Sequence, residues 1–304
     1  MSHILSDVRM KSIFLALAVT LALITSSCDV IEAPYLKNPI DPADTLLKDT
    51  SDVFVSTSDA KNVLLEDYTG HTCGNCPEAA DVATLIVEKN PGRIVMLSVH
   101  VGPFATPELP DYPYDFQTTI GDTYDQLFRN SRAGLPNGLV NRMKFGGRLT
   151  LGQNNWEAAT NAQLALSPAL NMTLSHTYYD SSRTIVATVE TEYLTPGEPD
   201  YSLVVLLTED GIIEDQKDYR FTPSHREDYE FDHVLRVSMN GAWGDSLSNV
   251  AQPIGKKIKK IIRFTIPAGV DWKLENSDLV AFVYRREDDQ TREVLQVVKQ
   301  AFRP

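Results

Sequence analysis

Apolar residues recur with helical spacing between residues 61 and 166 and with strand spacing from residue 167 onward. The clearest helix is predicted from a single apolar face at positions i, i+3, i+4, i+7 and i+8, formed by Ala79, Val82, Ala83, Ile86 and Val87. An apolar strand that starts near residue 62 precedes this helix. The turn at 90–92 ends it, and a second strand is predicted at 93–99.

The remainder of the first part continues the alternation of helices and strands. We predict a helix at 120–130, strands at 139–140 and 148–151, and a final helix around Trp156. The predicted order is therefore strand, helix, strand, helix, strand, strand, helix. A segment rich in proline and aromatic residues, 103–116, interrupts this order and is expected to be an inserted loop.

In the second part the period of apolar and polar residues is two, as in Leu170, Met172 and Leu174. Seven short strands are predicted, at 170–174, 185–189, 201–207, 229–237, 257–266, 279–284 and 294–302. This pattern favours a β-sandwich of immunoglobulin-like architecture, without the Cys–Trp–Cys pattern of antibody domains. The expected fold class is an α/β domain at 61–166 followed by an all-β sandwich domain at 167–304.

Residues 1–28 have the pattern of an export signal. Basic residues at 9 and 11 precede an apolar run at 13–24, which is shorter than the about 20 residues of a membrane span. Small residues then precede Cys28, which resembles the lipobox cysteine that carries the lipid in bacterial lipoproteins, although Thr25 replaces the usual Leu. The alternative is an ordinary secretory signal with an incidental cysteine. Residues 29–60, rich in Pro, Asp, Thr and Ser, are expected to be a flexible tether.

The net charge of −13 argues against nucleic acid as a partner. No segment after the signal is long and apolar enough to span a bilayer, so attachment to a membrane would be by the lipid on Cys28 alone. We expect envelope proteins as substrates or partners, and no cofactor.

Cys73 and Cys76 are the cysteines that remain after Cys28. We predict that Cys73 lies at the start of the first helix, where free backbone N–H groups and the helix macrodipole favour a thiolate over a thiol. Cys73 is therefore expected to face solvent and act as the nucleophile, and Cys76 to resolve the mixed disulfide. A disulfide across two intervening residues restricts the unfolded chain little, which argues against a purely structural bridge. Two cysteines supply only half of the ligands of a structural zinc site, which argues against a metal site. A redox pair is favoured over a static bridge or a metal remnant.

Strand, CxxC, helix and strand in this order resemble the opening of a thioredoxin-like fold. The resemblance implies that Pro136 is the cis-proline that lines the substrate groove, and that Asp67 is the buried proton carrier. The chain also resembles outer-membrane lipoproteins related to the twenty-eight-kilodalton outer membrane protein of Gram-negative anaerobes. Residues 64–77, 98–100, 233–236 and 240–244 carry this resemblance. It implies a lipid-anchored envelope protein with a thioredoxin-like domain and a C-terminal β-domain.

Acids and histidines flank the cysteine pair. Asp67 is placed to accept the proton of the second cysteine, with Glu66 on the opposite face of the strand; alternatively, both acids face solvent. Protonated His71 would stabilise the thiolate. With His100 and both cysteines it would instead form a metal site resembling that of copper-handling thioredoxin relatives, which use a wider CxxxC. A surface or turn histidine is the favoured interpretation.

Two groups in the second part carry weaker predictions. The lysine run at 256–260 is expected to protect an exposed strand edge, with contact to anionic headgroups as the alternative. No ligand-like spacing is found among the neighbouring acids and histidines His225, Asp228, Asp232 and His233.

Two functions remain open from the sequence. The favoured one is thiol–disulfide exchange on envelope proteins by a lipid-anchored outer-membrane protein, with the second domain selecting the partner. The alternative is a non-enzymatic surface-binding or accessory lipoprotein, in which the β-sandwich does the binding and the CxxC pair is vestigial.

Overall fold

The computed structural model of the chain describes residues 54–55, 60–286 and 292–302. The predicted signal peptide, Cys28 and most of the predicted tether lie outside these ranges. The helices are α1 (Cys76–Lys89), α2 (Thr119–Phe128), α3 (Asn130–Ala133) and α4 (Trp156–Leu164), with 3-10 turns at Pro103–Ala105, Gln153–Asn155 and Leu274–Asn276. No helix within the described ranges is long and apolar enough to cross a membrane.

Strands make up most of the regular structure. They are β1 (Phe54–Val55), β2 (Val63–Thr69), β3 (Ile94–His100), β4 (Asn137–Val140), β5 (Leu170–Tyr179), β6 (Thr184–Tyr193), β7 (Tyr201–Glu209), β8 (Ile212–Lys217), β9 (His225–Phe231), β10 (Val234–Ser238), β11 (Asp245–Ser246), β12 (Lys257–Thr265), β13 (Ser277–Arg285) and β14 (Val294–Ala301). The chain is thus mainly β-structure with a helix-bearing N-terminal part.

The described strands form three sheets. The largest has the order β14-β13-β7-β10-β3-β2-β4, with β11 also paired to β7. Within it, β2 and β3 are parallel and β4 is antiparallel to β2. A second sheet has the order β1-β5-β6-β12, and β8 and β9 form a hairpin. The pairing of β1 with β5 gives the end of the predicted tether a place in a sheet, which was not expected.

Strand β10 joins the two predicted domains into one sheet. It is antiparallel to β7 and parallel to β3, where Val234 is the partner of Ser98. The Ser98 N–H donates to the His233 carbonyl (2.8 Å), and the Ser98 hydroxyl donates to the Asp232 carbonyl (2.9 Å). The domain boundary at residue 166 stays a prediction. The hydrogen bonds of Ser98 nevertheless connect residues on the two sides of this boundary within one sheet.

The large sheet is buried on both faces, which explains its continuously apolar strands. In β13, Leu279, Ala281 and Val283 contribute to the core shared with the four-stranded sheet. The alternate residues Val280 and Phe282 contribute to a second core, which also contains residues of α2. A third core packs α1 and α4 against β2, β3 and β4.

Several predicted strands differ from the observed ones. Residues 148–151 form isolated bridges rather than a strand, through the pairs Gly138–Leu151 and Phe145–Arg148. The strand predicted at 229–237 is split between β9 and β10, because His233 has a positive φ of 58° and donates its N–H to the side chain of Asp210 (2.6 Å). Strand β8 was not predicted.

All of the lysine run except Lys256 lies on β12, at one edge of the four-stranded sheet in the described part of the chain. Lys257 and Lys259 lie opposite Glu192 and Glu190 of β6, with N–O distances of 3.5 and 3.2 Å. This is the position that the edge-protection interpretation requires.

Candidate functional site

The cysteine pair lies in the loop between β2 and α1. The Cys73 and Cys76 sulfurs are bonded to each other, with 5.4 Å between the Cα atoms. A turn in which the Cys76 N–H donates to the Cys73 carbonyl (3.1 Å) places Cys76, not Cys73, at the first position of the helix. The expectation that Cys73 opens the helix is therefore wrong, because Gly74 and Asn75 are used in the turn.

Cys73 is buried, with only 3 % of its surface exposed, so the prediction that it faces solvent is also wrong. The segment 216–220 of the β8–β9 hairpin, which we call the cover segment, lies against its loop. Gln216 Nε2 donates to the Cys73 carbonyl (3.2 Å), and the Tyr219 N–H donates to the Gly74 carbonyl (2.9 Å). A Cβ on Gly74 would lie 2.6 Å from the Tyr219 ring, so glycine is the residue that lets this ring close over the loop.

The cover segment is itself held by ion pairs. Both carboxylate oxygens of Asp218 accept from Arg220, at 2.8 and 2.7 Å, and Arg220 also contacts Asp81 of α1. The Arg220 guanidinium holds the pKa of Asp218 below its usual range. These contacts tie the tip of the hairpin to α1, the helix that begins at Cys76.

The proline- and aromatic-rich segment holds the opposite side of the same loop. The Thr72 N–H and hydroxyl both donate to the Phe104 carbonyl, at 3.0 and 3.1 Å. A Cβ on Gly70 would clash with that backbone. The cysteine loop is therefore clamped between residues 103–105 and the cover segment.

Glu66 and Asp67 are both buried, so the interpretation that they face solvent is wrong. They lie on opposite faces of β2, as strand alternation requires. Glu66 accepts two hydrogen bonds from Arg142, at 2.8 and 2.7 Å, and the Arg142 guanidinium lies 4.6 Å from the Tyr124 ring centroid. Glu66 is therefore part of an internal ion pair and does not reach the cysteines' face.

Asp67 has no such partner. Its side chain is fully buried, and its Oδ1 atom makes no hydrogen bond. Burial raises the pKa of Asp67 from 3.8 to about 7, because the charged form loses its hydration. A carboxyl with this pKa can take up or release a proton near neutral pH.

A cleft of about 270 Å³ brings Asp67 and Cys76 to one surface. It lies between α1, β2, β3 and β9, and we call it the Cys76 cleft. Its lining includes Asp67, Cys76, Ser98, His100, Arg226 and Tyr229, and it does not include Cys73 or Pro136.

His71 and His100 are buried beside the cysteine loop, with the Phe116 ring 5.4 Å from His71 and 4.4 Å from His100. No ring nitrogen of His71 or His100 has a hydrogen-bond partner. The backbone of Tyr112 favours the charged form of His71, but burial has the larger effect on its pKa. Burial lowers the pKa of both, that of His100 to about 3. Both are therefore neutral at neutral pH, and His71 is not the cation that would stabilise a Cys73 thiolate.

The described residues contain one group of three side chains that could share a metal ion, Asp210, His233 and Asp278. The Lys299 ammonium already lies 2.6 Å from Asp278 there. The Cys₂His₂ set is not assembled. The acids and histidines of residues 225–233, for which no site was predicted, have separate partners: His225 pairs with Asp215 (2.7 Å) and His233 pairs with Asp210 (3.0 Å).

Pro136 follows a cis peptide bond and is half-buried directly before β4. Its role in a substrate groove stays a prediction. The sequence missed Gln216, Tyr219, Arg220 and Arg226, all in the β8–β9 hairpin. Pro223 and Ser224 indicate a turn in this hairpin. No pattern in the sequence around them indicates that the turn contacts the cysteine loop, which lies far earlier in the chain.

Comparison with known proteins gives a family and a fold. The family model described as outer membrane protein Omp28 matches residues 122–304. Among solved structures, HBP35 of Porphyromonas gingivalis has 18% sequence identity and a TM-score of 0.57, covering 81% of this chain and 77% of that one. A domain of the outer membrane lipoprotein Omp28 from the same organism has 25% identity and a TM-score of 0.29, covering 45% of this chain and 90% of that one. No curated protein matches the chain.

Proposed function

This chain belongs to the Omp28 outer membrane protein family, and from that premise we propose that it carries out thiol–disulfide exchange with proteins of the cell envelope. It is an outer membrane protein. The proposed attachment is a lipid on Cys28. Envelope proteins are the proposed substrates, and the Cys73–Cys76 pair is the proposed reactive group.

Strand order supports a thioredoxin-like core for residues 61–166. The arrangement β3-β2-β4, with the first pair parallel and the second antiparallel, places the CxxC loop at the carboxyl end of β2. For residues 167–304, two packed sheets around one apolar core support an immunoglobulin-like sandwich.

The observation that carries the proposal is the bonded cysteine pair next to an unpaired, buried Asp67. In the reduced protein, Cys73 would attack a substrate disulfide and release one substrate thiol. Cys76 would then attack the mixed disulfide, with its proton passing to Asp67, and the second substrate thiol would leave. The substrate gains two electrons and two protons, and the protein disulfide forms again. Oxidation of a substrate dithiol is the reverse.

The cover segment adds a condition to this reaction. Because Cys73 is buried beneath residues 216–220, exchange with a protein requires that the hairpin tip moves away. These residues belong to the second part of the chain, which supports the proposal that this part selects the partner.

A direct test uses the lipidated protein in detergent. The oxidised protein is incubated with a reduced, unfolded protein, and free thiols are then labelled with a maleimide reagent that shifts their mobility. We expect labelling of Cys73 and Cys76 to appear as substrate thiols disappear, and a Cys73→Ser/Cys76→Ser variant to leave the substrate thiols intact.

The burial of both sulfurs also favours a second candidate, the binding or accessory lipoprotein with a static disulfide. Under that function the disulfide survives incubation in the folded protein, and Cys73 and Cys76 are labelled only after the protein is unfolded and reduced. That result would refute the exchange proposal.

A further inference from the structure

Both residues of the disulfide are buried, with 3 % of Cys73 and 2 % of Cys76 exposed, but their surroundings differ. The cover segment lies against Cys73, whereas Cys76 borders the cleft that Asp67 also lines. A reagent in this cleft would lie against Cys76, and Gln216 is the residue of the cover segment that lines the same cleft.

The size of the cleft limits what can enter. Its volume of about 270 Å³ is just below the about 300–1,000 Å³ typical of pockets for drug-sized ligands. A molecule with the dimensions of an amino acid fits this space, and a folded protein does not.

The charges in the cleft indicate the kind of molecule. Arg226 lines it, and its Nη1 atom is 3.8 Å from Asp218, whose oxygens are already bound by Arg220. Arg226 therefore retains donors for a further carboxylate. Two acids, Glu230 and Asp232, also line the cleft and suit an ammonium group, although Asp232 Oδ1 already accepts from the Gly211 N–H (2.9 Å).

We propose that the Cys76 cleft binds a small zwitterionic thiol, which reacts with the Cys76 sulfur and reduces the disulfide while the cover segment stays closed. This inference rests on the proposed thiol–disulfide exchange and names a small-molecule reductant for it.

The reaction balances with two molecules of thiol. The first, deprotonated by Asp67, attacks the Cys76 sulfur; the Cys73–Cys76 bond breaks, and Cys73 leaves as a thiolate. The second attacks the mixed disulfide and releases Cys76 as a thiolate and the small molecule as its own disulfide. The protein gains two electrons and two protons, and the two small thiols are oxidised.

One experiment asks which sulfur can be reached. Cys73→Ser and Cys76→Ser variants of the lipidated protein are treated with cystine, and adducts are followed by mass spectrometry. The rate of adduct formation in each folded variant is divided by the rate for the same variant unfolded in urea. This ratio removes differences in thiol reactivity that come from the neighbouring sequence. We expect the folded Cys73→Ser variant, which retains Cys76, to react at least about ten-fold faster on this scale. Equal rates, or faster reaction at Cys73, would overturn the proposal.

A second experiment blocks the cleft in the wild-type disulfide. Ala80 lines the cleft from α1, whereas Leu85 lies on the same helix, is exposed and does not line it. We expect Ala80→Trp to slow reduction by L-cysteine by about ten-fold, and the matched Leu85→Trp variant to react like wild type. If the two variants react equally, the cleft is not the route.

Recognition is tested with cysteamine, which is cysteine without its carboxylate. We expect Arg226→Gln to slow reduction by cysteine several-fold and to leave the rate with cysteamine unchanged. Equal effects on both thiols would remove Arg226 from recognition and overturn the zwitterionic class. If protein thiols reduce the disulfide but Ala80→Trp has no effect, this inference fails while the proposed function stands. If no thiol reduces it in the folded chain, both fail.

Discussion

Replacing Asp67 with Asn is expected to stabilise the folded protein, and the gain is expected to increase with pH. Burial raises the pKa of Asp67 from 3.8 to about 7, and no hydrogen bond to Oδ1 replaces the lost hydration. The folded chain therefore binds the proton more tightly than the unfolded chain. Between about pH 4 and pH 7 the folded state holds more protons, so its stability falls as the pH rises.

The magnitude follows from the same pKa. Three pH units at about 1.4 kcal/mol each give a cost of about 4 kcal/mol for the ionised carboxylate above pH 7. Near pH 4.5 the cost is about 1 kcal/mol, because the folded carboxyl is still protonated. Asn has nearly the same shape and does not ionise, so Asp67→Asn is expected to remove this pH-dependent cost.

Urea unfolding of the oxidised protein, with the chain starting at residue 29, measures both values. We expect the variant to be more stable than wild type by about 1 kcal/mol at pH 4.5 and by about 4 kcal/mol at pH 8. Asp228→Asn, at an exposed position of β9, is the control and is expected to change stability by less than about 0.5 kcal/mol at either pH. A gain that is the same at both pH values would refute the reasoning, since Asp67 would then have an ordinary pKa, for example through water in the adjoining cleft.

Three further predictions concern other positions. Glu66→Gln is expected to destabilise the fold by about 3–5 kcal/mol in urea unfolding, because Arg142 would stay buried without its partner. Gly74→Ala is expected to displace the Tyr219 ring, and so to speed labelling of Cys73 in the reduced protein by a bulky maleimide. Cys28→Ser is expected to abolish labelling with radioactive palmitate and to release the protein from the membrane fraction.

Each of these has a control or a contrary result. Glu78→Gln, at an exposed position on α1, should leave stability within about 0.5 kcal/mol of wild type. Gly152→Ala, where an added Cβ meets nothing within 4 Å, should leave maleimide labelling unchanged. Palmitate labelling that survives in Cys28→Ser would contradict the lipid anchor.

Local sequence patterns were sufficient to predict the helix and the strand that flank the cysteine pair. The apolar face from Ala79 to Val87 predicted a helix that the structure has at Cys76–Lys89. Alternation along β2 predicted that Glu66 and Asp67 face opposite ways. These results depend on residues close together in sequence, where the period alone decides which side is buried.

The burial of Cys73 could not be predicted in the same way. It depends on the hairpin β8–β9, whose sequence is polar after Ile213 and has no strong strand period. Gln216 and Tyr219 become part of the site only through contacts with a loop far away in the chain. The split of the predicted strand at His233 has a similar cause, because Asp210 binds its backbone.

The parallel pairing of β3 with β10 has a consequence for the order in which the large sheet can be completed. An unpaired β3 presents a row of N–H and C=O groups that can pair with another chain. The residues that pair with this edge, 232–234, are synthesised long after β3, so the edge at Ser98 stays open until they arrive. Ser98, whose N–H and hydroxyl are both satisfied by residues 232–233, marks where that edge closes. Completion of the large sheet at this edge therefore requires residues from the second part of the chain.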